Sequence, residues 1–298
     1  MPNLVGIGNS QVPTNAMLGG MAYQNSIGEI DVDKIKARIS DTAANTLGKD
    51  ILIYDTRKDS DGGAWRYRTQ NTSWYNEPPS ATRGARREFP SIAVFVLDTS
   101  GTNKVTIYDG DDPNLSMWMV FNGVASGSGY QGLVNLVYNG LGGMDALNGI
   151  VVGGRSWINF IGDNLGGYWW TAGCYTNDSR GIVDRNDGSL VYDQHNSVGI
   201  LNATINDVAM TVLPNAPIWT EIGLPTPIIA FGTEGGLCVT SPNNDNGGFK
   251  ESVIYDVTGF SPVDQVGFSD DKLIIHTQIS GTTYAAIGKR ELTADIGL

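Results

Sequence analysis

The side chains best suited to hold a cation stand together at Asp109, Asp111 and Asp112, beside Gly110. Three carboxylates in four positions offer the hard oxygen ligands that calcium takes, and a glycine allows the turn such a loop needs. These three aspartates are candidate calcium ligands. Stretches 184–189 and 243–248 have related composition. The first departs by one residue from the EF-hand spacing, and no bidentate Glu follows it. All three stretches are equally good turn sequences, since Asp, Asn and Gly favour turns.

Other constellations are thin. Two histidines, His195 and His276, and two cysteines, Cys174 and Cys238, offer neither a triad nor a zinc spacing. There is no Gly-x-Ser-x-Gly elbow, and no glycine-rich loop with a lysine precedes a helix. The carboxylates are scattered over turns, so the pair needed for glycoside hydrolysis cannot be assigned. The expectation is a protein that is not an enzyme and has no cofactor beyond calcium. The aromatics are richer. Tyr168, Trp169 and Trp170 follow Gly166 and Gly167, and Trp74, Tyr75 and Trp118 also lie in or beside loop-like stretches. Such rings give much contact area at low entropic cost, which suits sugar stacking or protein contact. Tyr168, Trp169 and Trp170 are the candidate partner or glycan contacts.

The elements that must carry these residues are strands and turns. After Gly48 the chain repeats one grammar: a short apolar strand, a polar or glycine turn, a second apolar strand. Ile92–Leu97 with Lys104–Tyr108, Gly149–Gly153 with Trp157–Ile161, Pro227–Gly232 with Gly236–Thr240, and Val263–Phe268 with Lys272–His276 all read this way. Ile51–Tyr54 is expected to form a hairpin with Ala64–Arg68 across the Asp61-Gly62-Gly63 turn, with Trp65 and Tyr67 on one face. Starts at Ile92, Ile150, Val208 and Val266 are each 58 apart (150 − 92, 208 − 150, 266 − 208). A recurring multi-strand unit of this kind is the mark of propeller blades, with a β-sandwich as the competing architecture.

Residues 1–49 read differently. The first twenty are small and polar without periodicity, an extended arm. Val32, Ile35 and Ile39 then recur at helical spacing behind Asp31 as N-cap, with Gly48 as stop. That apolar stripe is a candidate contact with a partner or with the rest of the chain. The expected fold is all-β: propeller-like repeated antiparallel sheets (50–298) preceded by an extended arm and one short helix (1–49).

Composition sets the outer bounds. Of 298 residues, 19 are Lys or Arg and 31 are Asp or Glu, so the net charge is 19 − 31 = −12. That charge disfavours binding to nucleic acid or anionic membrane surfaces. Charged residues make up only 17% while hydrophobic ones reach 41%, which argues for a packed fold rather than a disordered acidic chain. No apolar run is long enough to span a membrane, and the N-terminus does not have the pattern of a secretory signal.

Four phrases carry a resemblance. They are MPNLVGIGNSQVPTNAMLGGMAYQ (1–24), DILIYDTRKDSDGGAWRYRTQNTSWYNE (50–77), RREFPSIAVFVLDTSGTNKVTIYDGDDPNLSMWMVFNG (86–123) and NDVAMTVLPNAPIWTEIGLPTPIIAFGTEGGLCV (206–239). They resemble virion structural proteins of marine phages, cyanophages especially, where similar segments open tail-fibre or appendage proteins. The likeness fades over 124–205 and in the last forty residues. It implies a virion protein assembled in the host cytoplasm, associated with the tail or an appendage. The implied partners are other virion proteins, such as tail or portal-proximal components, copies of itself and, at the host surface, glycans. It carries no catalytic residue. A glycan hydrolase or depolymerase, and a pure carbohydrate-binding module, are the rival readings.

Overall fold

The computed structural model describes residues 49–98, 104–122, 143–169, 173–176, 181–187, 193–195, 200–241, 253–255, 262–269, 272–279 and 282–286. The expected arm and helix, with Val32, Ile35 and Ile39, lie outside these residues, as do the 243–248 loop and Trp170. What is described is antiparallel β-structure with three short 3-10 turns, Thr56–Lys58, Ala64–Arg68 and Ile182–Asp184. Among the described residues no helix is long and apolar enough to cross a membrane.

Among the described residues, four larger sheets follow one another along the chain, with a fifth, two-stranded one inserted in the third. The first is β1 (Lys49–Asp55), β2 (Ile92–Asp98), β3 (Lys104–Asp109) and β4 (Met117–Asn122), paired in chain order. The second is a six-stranded meander of β5 (Met144–Leu147), β6 (Ile150–Gly153), β7 (Ser156–Asn159), β8 (Asn164–Trp169), β9 (Gly173–Thr176) and β10 (Asp193–His195). The third begins with β11 (Ile205–Thr211). A small hairpin of β12 (Ile218–Trp219) and β13 (Leu224–Pro225) interrupts it before β14 (Ile228–Thr233), β15 (Gly236–Thr240) and β16 (Val253–Tyr255). The fourth is β17 (Val263–Ser269), β18 (Lys272–Ile279) and β19 (Thr282–Ala286).

Side chains alternate across a strand, so the faces can be read from the core. On β6 and β7, Val151 pairs with Ile158 and Val152 with Trp157. Both pairs, on opposite faces, belong to the main core. The second sheet is therefore an internal layer, which only a strand apolar on both faces can be. On β14, Ile229 and Phe231 join the main core, while Ile228 and Ala230 pack with Val263, Val266 and Leu273 of the fourth sheet. The first strands meet in chain order: β1 lies beside β5, β5 beside β11, and β11 beside β17.

These first strands share a residue. Asp50, Asp145, Asp207 and Asp264 each stand one or two residues into β1, β5, β11 and β17. Asp145 accepts from its own neighbour, Ala146 N at 2.8 Å, and from Met210 N on β11 at 2.7 Å. Asp207 repeats the motif with Val208 N on its own strand and Val266 N on β17, both at 2.9 Å. Asp145 thus joins the second sheet to the third, and Asp207 joins the third to the fourth.

The antiparallel all-β architecture is as expected, and no closed barrel or propeller ring occurs among the described residues. Two other expectations are corrected. The 58-residue spacing joins unlike elements, because Ile92 and Ile150 begin second strands whereas Val208 and Val266 lie in first strands. Ala64–Arg68 is a 3-10 turn rather than a strand, and β1 pairs with β2 instead, Ile53 opposite Val94. Consecutive Trp65 and Arg66 are both buried, together with Thr69, while Tyr67, Arg68 and Gln70 face solvent. That is the spacing of a turn of helix, which a two-residue alternation cannot satisfy.

Candidate functional site

The connections that leave the C-terminal ends of β1, β3, β7, β9 and β11 converge on one end of the array. The largest is the 36-residue stretch 56–91 between β1 and β2. Three of its rings turn inward: Trp65, Trp74 and Phe89 are fully buried, and Phe89 packs edge-on against Trp118 (ring centroids 4.9 Å apart) and tilted against Phe160 (4.7 Å). Trp74 and Trp118, which the sequence places in or beside loops with contact and core roles both open, are core residues. Each indole N–H finds a carbonyl, Trp74 Nε1 on Phe160 O and Trp118 Nε1 on Glu88 O, both at 2.9 Å.

Polar contacts then lock this stretch to its neighbours. Asp59, buried, accepts from Tyr54 Oη (2.6 Å), Trp65 Nε1 (2.7 Å) and Asn148 N (2.9 Å). Asn148 and Gly149, both with positive φ (55° and 75°), form the two-residue turn between β5 and β6. Asn148 Nδ2 donates onward to Pro225 O at 2.9 Å, so one network ties three sheets together. Burial pushes the Asp59 carboxyl up to about 6, against the pull of these donors. Asp163 accepts from Ser73 N, Ser73 Oγ and Ile182 N. Glu221, from the β12–β13 hairpin, accepts from Asn164 Nδ2 at 3.1 Å.

Two buried arginines complete the lock. Arg185 makes a two-pronged bond to Glu77, at 2.6 and 3.0 Å, and also donates to Val120 O and Thr82 O, both at 2.8 Å. Arg83 lies 4.6 Å over the Trp118 ring and donates to Trp118 O and Arg87 O. Burial pulls the Arg83 guanidinium down to about 10, with Glu77 opposing it. The 184–189 calcium candidate thus contributes an arginine to an ion pair.

The acidic loop after β3 sits at this same end. Arg86 Nη1 donates to both oxygens of Asp109 (2.8 and 2.9 Å) and to Asp111 Oδ2 (2.8 Å). Asp111 also accepts from Ser91 N, Ser91 Oγ and Ile92 N. Those donors hold its carboxyl below the usual range, although burial opposes them. Asp112 caps Asn114 N at 2.9 Å. The candidate calcium ligands are engaged by a guanidinium and backbone amides, the reverse of a cation's surroundings. No group of three or more His, Cys, Asp or Glu side chains poised for a metal occurs among the described residues. Tyr168 and Trp169 fall on β8, and the structure does not bring them to this end.

The outer surface of the locked end is what sequence reading missed. Among the described residues the exposed large hydrophobics are Tyr67 (63%), Ile218 (57%) and Val183 (37%), and all three sit on these connections. Nothing in the alternation of residues 64–70 marks Tyr67 as outward; the turn geometry alone decides it. No protein-family model matches the chain, and no curated protein is significantly similar to it.

Proposed function

We propose that this chain is a non-enzymatic structural protein of a phage particle, associated with the tail or an appendage. Residues 1–49 attach it to the particle, and 50–298 form a rigid body of successive blade-like sheets in a propeller-like arrangement. Copies of the chain assemble together in the particle. The phrases in residues 1–24, 50–77, 86–123 and 206–239 support the particle assignment. The single structural observation that carries the reading is the layered array whose connections interlock at one end. Such an array holds a contact surface still without help from a ligand. The buried carboxylates Asp59, Asp145 and Asp207 and the half-buried Asp163 each accept at least one fixed bond from another element, a use of acidic groups that serves architecture rather than proton transfer.

The test is a deletion of residues 1–24, followed through assembly. The truncated chain is expected to fold as a body yet to be absent from purified particles. Particles that incorporate it at the full-length level would overturn the attachment role.

A further inference from the structure

We propose that Tyr67 is the stacking platform of a carbohydrate-binding site on the locked end, formed with Arg68, Asp61, Gln70 and Asn71. The inference deepens the contact role proposed above and rests on it for the source of the sugar.

The ring is the most exposed large apolar side chain among the described residues, and it is not loose. The guanidinium carbon of buried Arg66 lies 5.2 Å from the ring centroid. That guanidinium is itself fixed, donating to Gly63 O at 3.2 Å and Phe89 O at 3.0 Å. The ring therefore rests on a rigid bed and presents its remaining surface to solvent. Gln70 Nε2 donates to Tyr67 O, which fixes the backbone of the turn as well. A pre-set ring spends little entropy on binding, the condition under which a single aromatic counts.

Its neighbours on this connection are polar. Arg68 Nη2 pairs with Asp61 Oδ2 at 3.0 Å, with side-chain exposures of 47% and 22%. Arg68 also lies against the β12–β13 turn, where a Cβ placed on Gly223 would meet Nη1 at 2.9 Å. Gln70 and Asn71 are exposed on the same turn. Exposed donors and acceptors on the same connection as the ring match the hydroxyls and apolar face of a pyranose. A protein interface would share the Tyr and the Arg but is depleted of Asp, and its buried centre is more apolar than this patch. The pair Arg68–Asp61 is neutral overall, and the chain carries −12, so a nucleic-acid strand is the poorer fit.

The test titrates the full-length chain with cellohexaose, maltohexaose, mannohexaose and a twelve-residue oligothymidylate by calorimetry. At least one hexasaccharide is expected to bind with a dissociation constant below about 1 mM, as befits one ring with a few hydrogen bonds. Tyr67→Ala should weaken it about tenfold or more, Tyr67→Phe should keep it within about threefold, and both should unfold at the wild-type temperature. Three results would overturn the site: none of the sugars binds, Tyr67→Ala binds like wild type, or the oligothymidylate binds more tightly than every sugar. A chain that binds sugar through Tyr67 but is absent from purified particles overturns the particle reading and leaves the site standing.

Discussion

The Asp145 joint predicts a stability that falls as pH rises. Asp145 is buried on β5 and bonded to Ala146 N and Met210 N, with the Asp207 carboxylate nearby. Burial, reinforced by Asp207, pushes its carboxyl up to about 7. In the unfolded chain the same group titrates near 3.9. A folded value above the unfolded one means that the native state holds the proton more tightly. This stabilisation is complete below about pH 4, declines as pH rises, and is gone above about 7. Integrated between pH 5 and pH 8, Asp145 alone accounts for a loss of about 2–3 kcal/mol. Asp145→Asn removes the titration and leaves one of the two N–H groups facing an amide nitrogen, at a cost of about 1–3 kcal/mol that does not vary with pH. Urea unfolding at pH 5, 6.5 and 8 measures both variants. Wild type should lose stability more steeply than Asp145→Asn, so that the two curves converge toward pH 8. Parallel curves across that range would refute the assignment of a buried, proton-holding carboxylate to this joint.

Other perturbations follow from the same contacts. Glu77→Ala leaves the Arg185 guanidinium buried beside Arg83 without its carboxylate, and should cost about 3–5 kcal/mol by denaturant unfolding. Gly149→Ala places a Cβ 2.7 Å from the Ile161 side chain at a φ of 75°, and should lower stability by about 1–3 kcal/mol in the same assay. Because Arg86 and backbone amides occupy the Asp109 and Asp111 oxygens, millimolar calcium or EDTA should leave the thermal unfolding temperature unchanged. A calcium-dependent rise of several degrees would restore the cation reading of that loop.

Where strand pairing is local, residue pattern was a sufficient guide. The β2–β3, β6–β7, β14–β15 and β17–β18 hairpins were all legible, because apolar runs flanking short turns leave few alternatives. The partner of β1 was not, because 36 residues separate it from β2 and a nearer run, Ala64–Arg68, offered apparent alternation. Only packing distinguishes that run from a strand: Trp65 and Arg66 are both drawn inward, by Asp59 and by the Phe89 carbonyl. The repeat was present in the sequence but in another register. Asp50, Asp145, Asp207 and Asp264 mark it, and one aspartate per unit is too little identity to stand out from 31 acidic residues. The acidic loop 109–112 read first as a turn, with calcium as the alternative, and its partner Arg86 stands more than twenty residues earlier. The exposure of Tyr67, Ile218 and Val183 depends on how the connections of three sheets fold, which no local pattern marks.

The proposed place of this chain in a virus particle is tested most directly by location. Particles of the proposed virus, purified to homogeneity, can be digested and sequenced by mass spectrometry. Peptides from both the 1–49 segment and the 50–298 body, at a constant ratio to the other particle proteins, are the predicted result. Their absence from particles, with the chain abundant in the infected-cell lysate, would contradict it.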